Sequence, residues 1–324
     1  MIVTVTPNPS IDRTVTLDAP LTRGAVHRAT SVTTEPGGKG VNVARALTLA
    51  GLDAVAVLPA PAADPLVAAL RGSAVPFRCV PTTGAVRTNL AITEHDGTTT
   101  KLNEPGATLD ASALDGLTRS VVASGETASW VVLSGSLPPG VPDDWYADIV
   151  AQLAPYPCRV AVDTSEGPLA ALVNSLDLAR PDLIKPNAEE LASVLGFSPR
   201  ALEAAVTQGD HEPVVSAAQQ LVDRGVGAVL ATLGAAGAVL VDANGSWMAT
   251  PPPIVPRSTV GAGDASLAGY VRAEAGGAVP PQRLQMAVAY GGAAAALPGS
   301  AVPTPAQIDL DAVHVVTTST KVLP

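Results

Sequence analysis

From about residue 130 onward, four short apolar runs each stop on a polar residue at a turn. WVVLSGSLPPG (130–140) ends at a Ser/Gly turn, RVAVDTS (159–165) reaches Asp163, LIKPN (183–187) reaches Lys185 and Asn187, and AVLATLG (228–234) reaches Thr232 and Gly234. Amphipathic or alanine-rich stretches such as DDWYADIVAQLA and VVSAAQQLVDRG separate them. A continuously apolar strand needs cover on both faces. The alternation therefore predicts a mostly parallel sheet between helical layers, an α/β fold. In an open sheet of this kind ligands bind beyond the carboxyl ends of the strands, which is where these polar residues fall.

Two segments break the alternation. TVTLDAPLTRGAVHRATSV (14–32) and VRTNLAITEHDGTTTKLN (86–103) have β character and no helix. Asp96-Gly97 is a hairpin signal, with Leu90 and Ile92 on one side and Leu102 on the other. Together they predict a small antiparallel sheet built from insertions at about 13–34 and 86–104 within a single domain spanning 1–324. Such a sheet needs one face covered. It can lie over the strand ends as a lid, pair with a second subunit, or do both.

Composition excludes several classes. Of 324 residues, 47% are hydrophobic and 15% charged, so a large core is easily built. Every apolar run is interrupted well short of the roughly 18 residues a membrane span needs. MIVTVTPNPSID has no basic stretch ahead of an apolar one and reads as a first strand rather than a signal peptide. The net charge is −10 and no long basic run stands out, which argues against nucleic acid or anionic membranes as partners. Cys79 and Cys158 lack metal or redox spacing and read as free thiols in a reducing cytoplasm. His27, His95, His211 and His314 lack zinc-site spacing.

STVGAGDASLAG (258–269) carries the sharpest chemistry. It is not a dinucleotide fingerprint, because Ser266 stands where the third glycine belongs, and no GxxxxGK[ST] occurs in the chain. Gly261 and Gly263 let successive N–H groups converge, and a helix beginning near Asp264 adds its positive end, which makes an anion hole. A carboxylate beside a bound phosphoryl group is poor for binding, but it suits a base that accepts a proton from an attacking hydroxyl. The alternative is Asp264 as a helix N-cap. Asn187 and Glu190 in KPNAEEL can hold a hydrated Mg²⁺ near phosphates, or form a capping box. Lys39 and Asn42 in EPGGKGVNVARAL lie at a glycine turn entering a helix, within reach of a ligand or in a plain connection. Asp12 in NPSID can hold sugar hydroxyls or close an Asx-turn.

In order, TPNPSID, PGGKGVNVAR, RTNL, KLNEPG, LSGSLPPG, VDTS, IKPNAEEL, TLGAAGA and STVGAGDAS resemble the phosphofructokinase-B branch of the ribokinase-like sugar kinases over essentially the whole chain. The resemblance implies a ribokinase-like three-layer α/β/α core with a β-sheet lid, a homodimer formed through that lid, and ATP and Mg²⁺ as cofactors. It implies that Asp264 is the catalytic base and that the N–H groups of Gly261, Ala262 and Gly263 form the anion hole. Lys185, Asn187, Thr232, Gly234, Ser258 and Gly263 would face ATP, with Asn187 and Glu190 holding Mg²⁺ through water. Asp12, Gly38, Lys39, Asn42, Arg87, Lys101 and Ser136 would hold the sugar phosphate. The GGKG lysine and TEHDGTTTKLNEPG are most similar to family members that convert fructose 1-phosphate to fructose 1,6-bisphosphate. Kinases of fructose 6-phosphate or tagatose 6-phosphate are the alternatives, and a non-catalytic sugar-phosphate sensor is a remote one. Ala265 stands where relatives commonly have Ser.

Overall fold

The computed structural model describes residues 1–320. Its strands are β1 (Ile2–Val5), β2 (Ser10–Thr16), β3 (Ser31–Gly37), β4 (Ala54–Pro59), β5 (Phe77–Val80), β6 (Arg87–Thr93), β7 (Thr99–Asn103), β8 (Trp130–Ser134), β9 (Arg159–Asp163), β10 (Leu183–Ile184), β11 (Ala228–Thr232), β12 (Ala238–Asp242), β13 (Gly245–Thr250) and β14 (His314–Thr320). Its helices are α1 (Lys39–Leu49), α2 (Pro65–Arg71), α3 (Ala111–Ser124), α4 (Trp145–Leu153), α5 (Glu166–Asn174), α6 (Ala188–Leu195), α7 (Pro199–Thr207), α8 (Glu212–Asp223), α9 (Ala262–Ala275) and α10 (Pro280–Ala295).

Among the described residues the large sheet runs β14-β13-β12-β11-β10-β9-β8-β1-β4-β5. From β11 to β5 every pairing is parallel. The inner parallel strands β1, β4, β8, β9, β10 and β11 are buried on both faces, as the sequence predicts, and side-chain alternation feeds two cores. Val3, Val5, Val131 and Leu133 pack toward α3, α4, α5, α6 and α8. Ile2, Trp130 and Val132 pack on the other side with Val43 and Leu47 of α1, Leu267 and Val271 of α9, and Leu284 of α10. The expected three layers follow. The antiparallel meander β12-β13-β14 at one edge is not visible in the four apolar runs.

β1 is flanked by β4 on one side and β8 on the other. The connections diverge at its carboxyl end, the position where open α/β sheets form their crevice. The chain leaving that end goes directly into the small sheet.

The small sheet runs β3-β2-β6-β7. Its two hairpins are antiparallel, but they join through β2 and β6, which run parallel, from Ser10↔Arg87 to Thr16↔Thr93. The expected antiparallel sheet is therefore mixed. The reason is topological: each insertion leaves the core edge in the same direction, and the outgoing strands are the ones that meet. Pairing also begins earlier than the sequence suggests, at Ser10, and extends to Gly37.

Candidate functional site

At the carboxyl edge, between the large sheet and the base of the small one, lies a cavity of about 340 Å³. Most of the residues singled out from the sequence line it. Asp12 and Arg87 come from the small sheet, and Gly38, Lys39 and Asn42 from the start of α1. Lys185, Asn187 and Glu190 follow β10, Thr232 ends β11, and Gly261, Gly263 and Asp264 open α9. Asn89, Asp163, Thr259 and Val260 complete the wall; none of these four was a candidate site residue from the sequence.

Asp264 is the third residue of α9, after an N-cap at Gly261 in the left-handed conformation (φ 78°). The capping reading of Asp264 therefore fails: the carboxylate turns away from its own helix, and its Oδ2 accepts from Asn42 Nδ2 at 2.9 Å. Burial raises its pKa, and the nearby Asp163 carboxylate raises it further, against the pull of Lys39, the Asn42 bond and Lys185; the result is about 6. The N–H groups of the first turn of α9 have no partner within the helix. That of Ala262 makes only a long bond to Thr259 O, 3.5 Å, which a bound anion can take over. A Cβ on Gly263 would stand 3.2 Å from Lys185 Nζ, so the bare glycine leaves space between the ammonium and the helix start. This cradle suits a phosphoryl group.

Asp163 is buried beneath the cradle. Its Oδ1 receives Lys39 Nζ at 3.0 Å and Lys185 Nζ at 3.3 Å. Burial works to raise its pKa, but the two lysines outweigh that and hold it below the ordinary carboxylate value. Lys39 shifts the other way: burial opposes its charge, but Asp163 and Asp264 more than compensate and raise its pKa.

At the small-sheet end, Asp12 Oδ1 accepts from Ser10 Oγ at 2.7 Å and from Asn89 Nδ2 at 3.1 Å. Arg87 Nη1 donates to Glu104 O at 3.2 Å, while its buried Nε has no partner in the structure. Burial lowers the Arg87 pKa, and Asp12 partly restores it.

Asn187 and Glu190 do form the capping box of α6: Glu190 N donates to Asn187 Oδ1 and Asn187 N to Glu190 Oε2, both at 2.8 Å. Among the described residues, no three His, Cys, Asp or Glu side chains converge to hold a metal by themselves. Glu190, one of four carboxylates on the cavity wall with Asp12, Asp163 and Asp264, fits a Mg²⁺ that keeps most of its waters.

Five expected residues are not among those lining this cavity: Ala262, the first residue of α9, and Lys101, Ser258, Ser136 and Gly234. Lys101 and Ser258 line an adjoining cavity of about 580 Å³ beneath the small sheet, which shares Asp12, Asn89 and Val260 with the first. Ser136 Oγ accepts from Asn8 Nδ2 at 3.3 Å. Gly234 opens an exposed turn after β11. Ala265 is fully buried against Tyr290 and Ala294, so the missing hydroxyl faces the core.

Comparison with known proteins matches residues 5–307 to the pfkB family carbohydrate kinases. The chain is 38% identical to a 1-phosphofructokinase of Xanthomonas campestris pv. campestris over 84% of its length and 83% of the relative's. It is 35% identical to a 1-phosphofructokinase of Rhodobacter capsulatus, covering 95% and 94% respectively. The solved structure of phosphofructokinase-2 from Escherichia coli in complex with substrates and products superposes with a TM-score of 0.85 at 32% identity, covering 94% of this chain and 96% of that one.

Proposed function

The chain belongs to the pfkB family of carbohydrate kinases, and from that premise we propose that it transfers the γ-phosphoryl group of ATP to the 6-hydroxyl of fructose 1-phosphate. One observation carries the chemistry: a buried carboxylate with a pKa of about 6 stands beside an anion cradle, tethered by Asn42 rather than spent on its helix. The two 1-phosphofructokinase relatives carry the choice of sugar.

Asp264 accepts the proton of the 6-hydroxyl as its oxygen bonds to the γ-phosphorus. The bond from that phosphorus to the β,γ-bridging oxygen breaks, and the electron pair leaves with ADP. The free N–H groups at the start of α9 stabilise the charge on the transferring oxygens without reorganising. Asn42 fixes the orientation of the base. Asp12, held by Ser10 and Asn89, receives sugar hydroxyls, and the spare Arg87 Nε–H faces the phosphate the sugar already carries. Lys185, Asn187, Thr232, Gly234 and Ser258 flank the nucleotide. Glu190 and Asn187 would hold Mg²⁺ through water, and the ion would supply charge neutralisation on the phosphates.

The small sheet acts as a lid and as a dimer interface. Strand alternation puts Asp12, Thr14, Asn89 and Lys101 on one face and Val15, Val32, Leu90, Ile92 and Leu102 on the other. Of the second set, Leu102 is 57% and Val32 47% exposed in the single chain. An apolar sheet face that open to water calls for a partner, and a second copy offers the same face. Light scattering after size exclusion should find a dimer, and Val32→Asp with Leu102→Asp should give a folded monomer. A dimer that survives both charges would place the interface elsewhere. A cytoplasmic setting accords with two unpaired thiols, Cys79 and Cys158.

The sugar is tested by kcat/KM on one preparation for fructose 1-phosphate, fructose 6-phosphate and tagatose 6-phosphate. Fructose 1-phosphate should lead by at least about tenfold, the separation expected from roughly 1.4 kcal/mol of differential transition-state binding. A lead by fructose 6-phosphate would assign a 6-phosphofructokinase activity instead.

A further inference from the structure

The resemblance places Lys39 among the residues that hold the sugar phosphate; in the structure its ammonium pairs with Asp163. Lys39 and Lys185 converge on a single oxygen, Asp163 Oδ1, at 3.0 and 3.3 Å, with the Asp163 side chain only 1% exposed. Lys185 Nζ in turn borders the bare Gly263 position of the cradle. The triad thus lies at the N-terminus of α9, beside Asp264. Arg87 stands apart from it on the small sheet, tied to Glu104 O. The cavity has two cationic poles, Lys39 and Lys185 at the start of α9 beside Asp264 and Arg87 on the small sheet.

We infer that Lys39 acts on the phosphoryl group in transfer rather than on the sugar's own phosphate, and that Asp163 is the positioning residue that holds Lys39 and Lys185 together against the cradle. The inference rests on the kinase reading above. Two ammonium groups this close repel each other unless a carboxylate stands between them. Two lysines and one aspartate leave a net charge of one, which matches the single charge of a metaphosphate-like group in flight. Asp163 Oδ2 is buried without a partner, so the carboxylate is not consumed by the surrounding fold. Asp264, faced by Asp163, Lys39, Lys185 and Asn42, would feel the loss of the Asp163 charge directly.

The test separates kcat from KM in three single variants and one double variant, with whichever sugar phosphate the wild type turns over. Lys39→Met should lower kcat by about a hundredfold and leave the KM for sugar phosphate within about threefold, the pattern of a contact made only in the transition state. Arg87→Met should do the opposite, raising that KM by about tenfold. Asp163→Asn should lower kcat and also shift the acid limb of kcat/KM to lower pH, because the charge repelling the Asp264 carboxylate is gone. Since Asp163→Asn strands the buried Lys185 and the partly exposed Lys39, the double variant with Lys39→Met restores charge balance. It should be no slower than about threefold below Lys39→Met alone, as expected for residues acting as one unit. A tenfold rise in sugar-phosphate KM for Lys39→Met with kcat retained would overturn the role given to Lys39. Additive losses in the double variant, or an unmoved acid limb in folded Asp163→Asn, would overturn the role given to Asp163. If the wild type forms no ADP with any sugar phosphate, the kinase reading itself fails, a result distinct from either.

Discussion

Replacing Asp264 with asparagine should abolish most turnover and, at the same time, make the protein more stable at pH 7. The activity loss is expected at a hundred- to ten-thousand-fold in kcat, the usual range for removing a positioned base. Asn42 can still donate to the new side-chain oxygen, so the cleft keeps its shape. The stability gain follows from linkage. The carboxyl is buried, and its folded pKa is about 6 against an ordinary 3.8. The native state therefore holds this proton more tightly than the unfolded chain does. The stability it contributes is fully present below pH 4 and is lost as pH rises through about 6. At neutral pH the native state carries a buried charge it would rather not have, at a cost of about 1–3 kcal/mol. A neutral amide removes that cost. Denaturant unfolding at pH 7.5 should show Asp264→Asn above the wild type, and the difference should vanish near pH 4. In the wild type the same ionisation should appear as an acid limb in kcat/KM with an apparent pKa near 6. A variant that is less stable at neutral pH, or that retains near-full turnover, would mean that the carboxylate is structural.

The largest loss of stability is expected from Gly237→Ala. Gly237 closes the turn between β11 and β12: Leu233 N donates to its carbonyl at 2.8 Å, and its own N–H donates to Gly234 O at 3.1 Å. Its φ is +103°, and a Cβ would stand 1.9 Å from Ala249 O and 3.0 Å from Ala249 C. These are backbone atoms of β13 in a paired ladder, so neither the methyl nor its neighbour has anywhere to go. The hairpin would have to part or the turn would have to refold, costing about 3 kcal/mol or more. Gly234→Ala in the same turn is the control. Its φ is +58° and nothing lies within 4 Å of the added carbon. A non-glycine residue pays only the left-handed backbone cost there, about 1 kcal/mol. Urea midpoints for the two variants should separate clearly. Equal midpoints would mean that φ alone, and not the contact with β13, sets the requirement for glycine.

What could be read from the sequence follows a physical divide. Apolar runs ending in polar residues are local signals, and they located the large sheet and its carboxyl edge. Glycine turns that enter helices are local too, and they located Gly38, Gly261 and Gly263. Contacts between distant segments left no such trace. Asn42 and Asp264 are 222 residues apart, and Lys39 and Asp163 124 apart. Nothing in GGKG says that its lysine folds back onto a buried aspartate rather than reaching out to a ligand. VDTS marked a strand end, but not that Asp163 would carry two lysines. The parallel β2–β6 pair escaped for a similar reason. Hairpin signals fix antiparallel partners within one insertion and say nothing about how two insertions meet. KPNAEEL can be read as a capping box or as an approach to a metal, and the structure shows the box realised.

The most direct test of the central claim is the product formed when purified protein is given ATP, Mg²⁺ and fructose 1-phosphate at pH 7.5, read by phosphorus NMR alongside ADP release. The expected result is one ADP for each fructose 1,6-bisphosphate, with the new phosphate on the C6 oxygen and almost none formed by Asp264→Asn. ADP without bisphosphate, or bisphosphate formed equally well by Asp264→Asn, would contradict it.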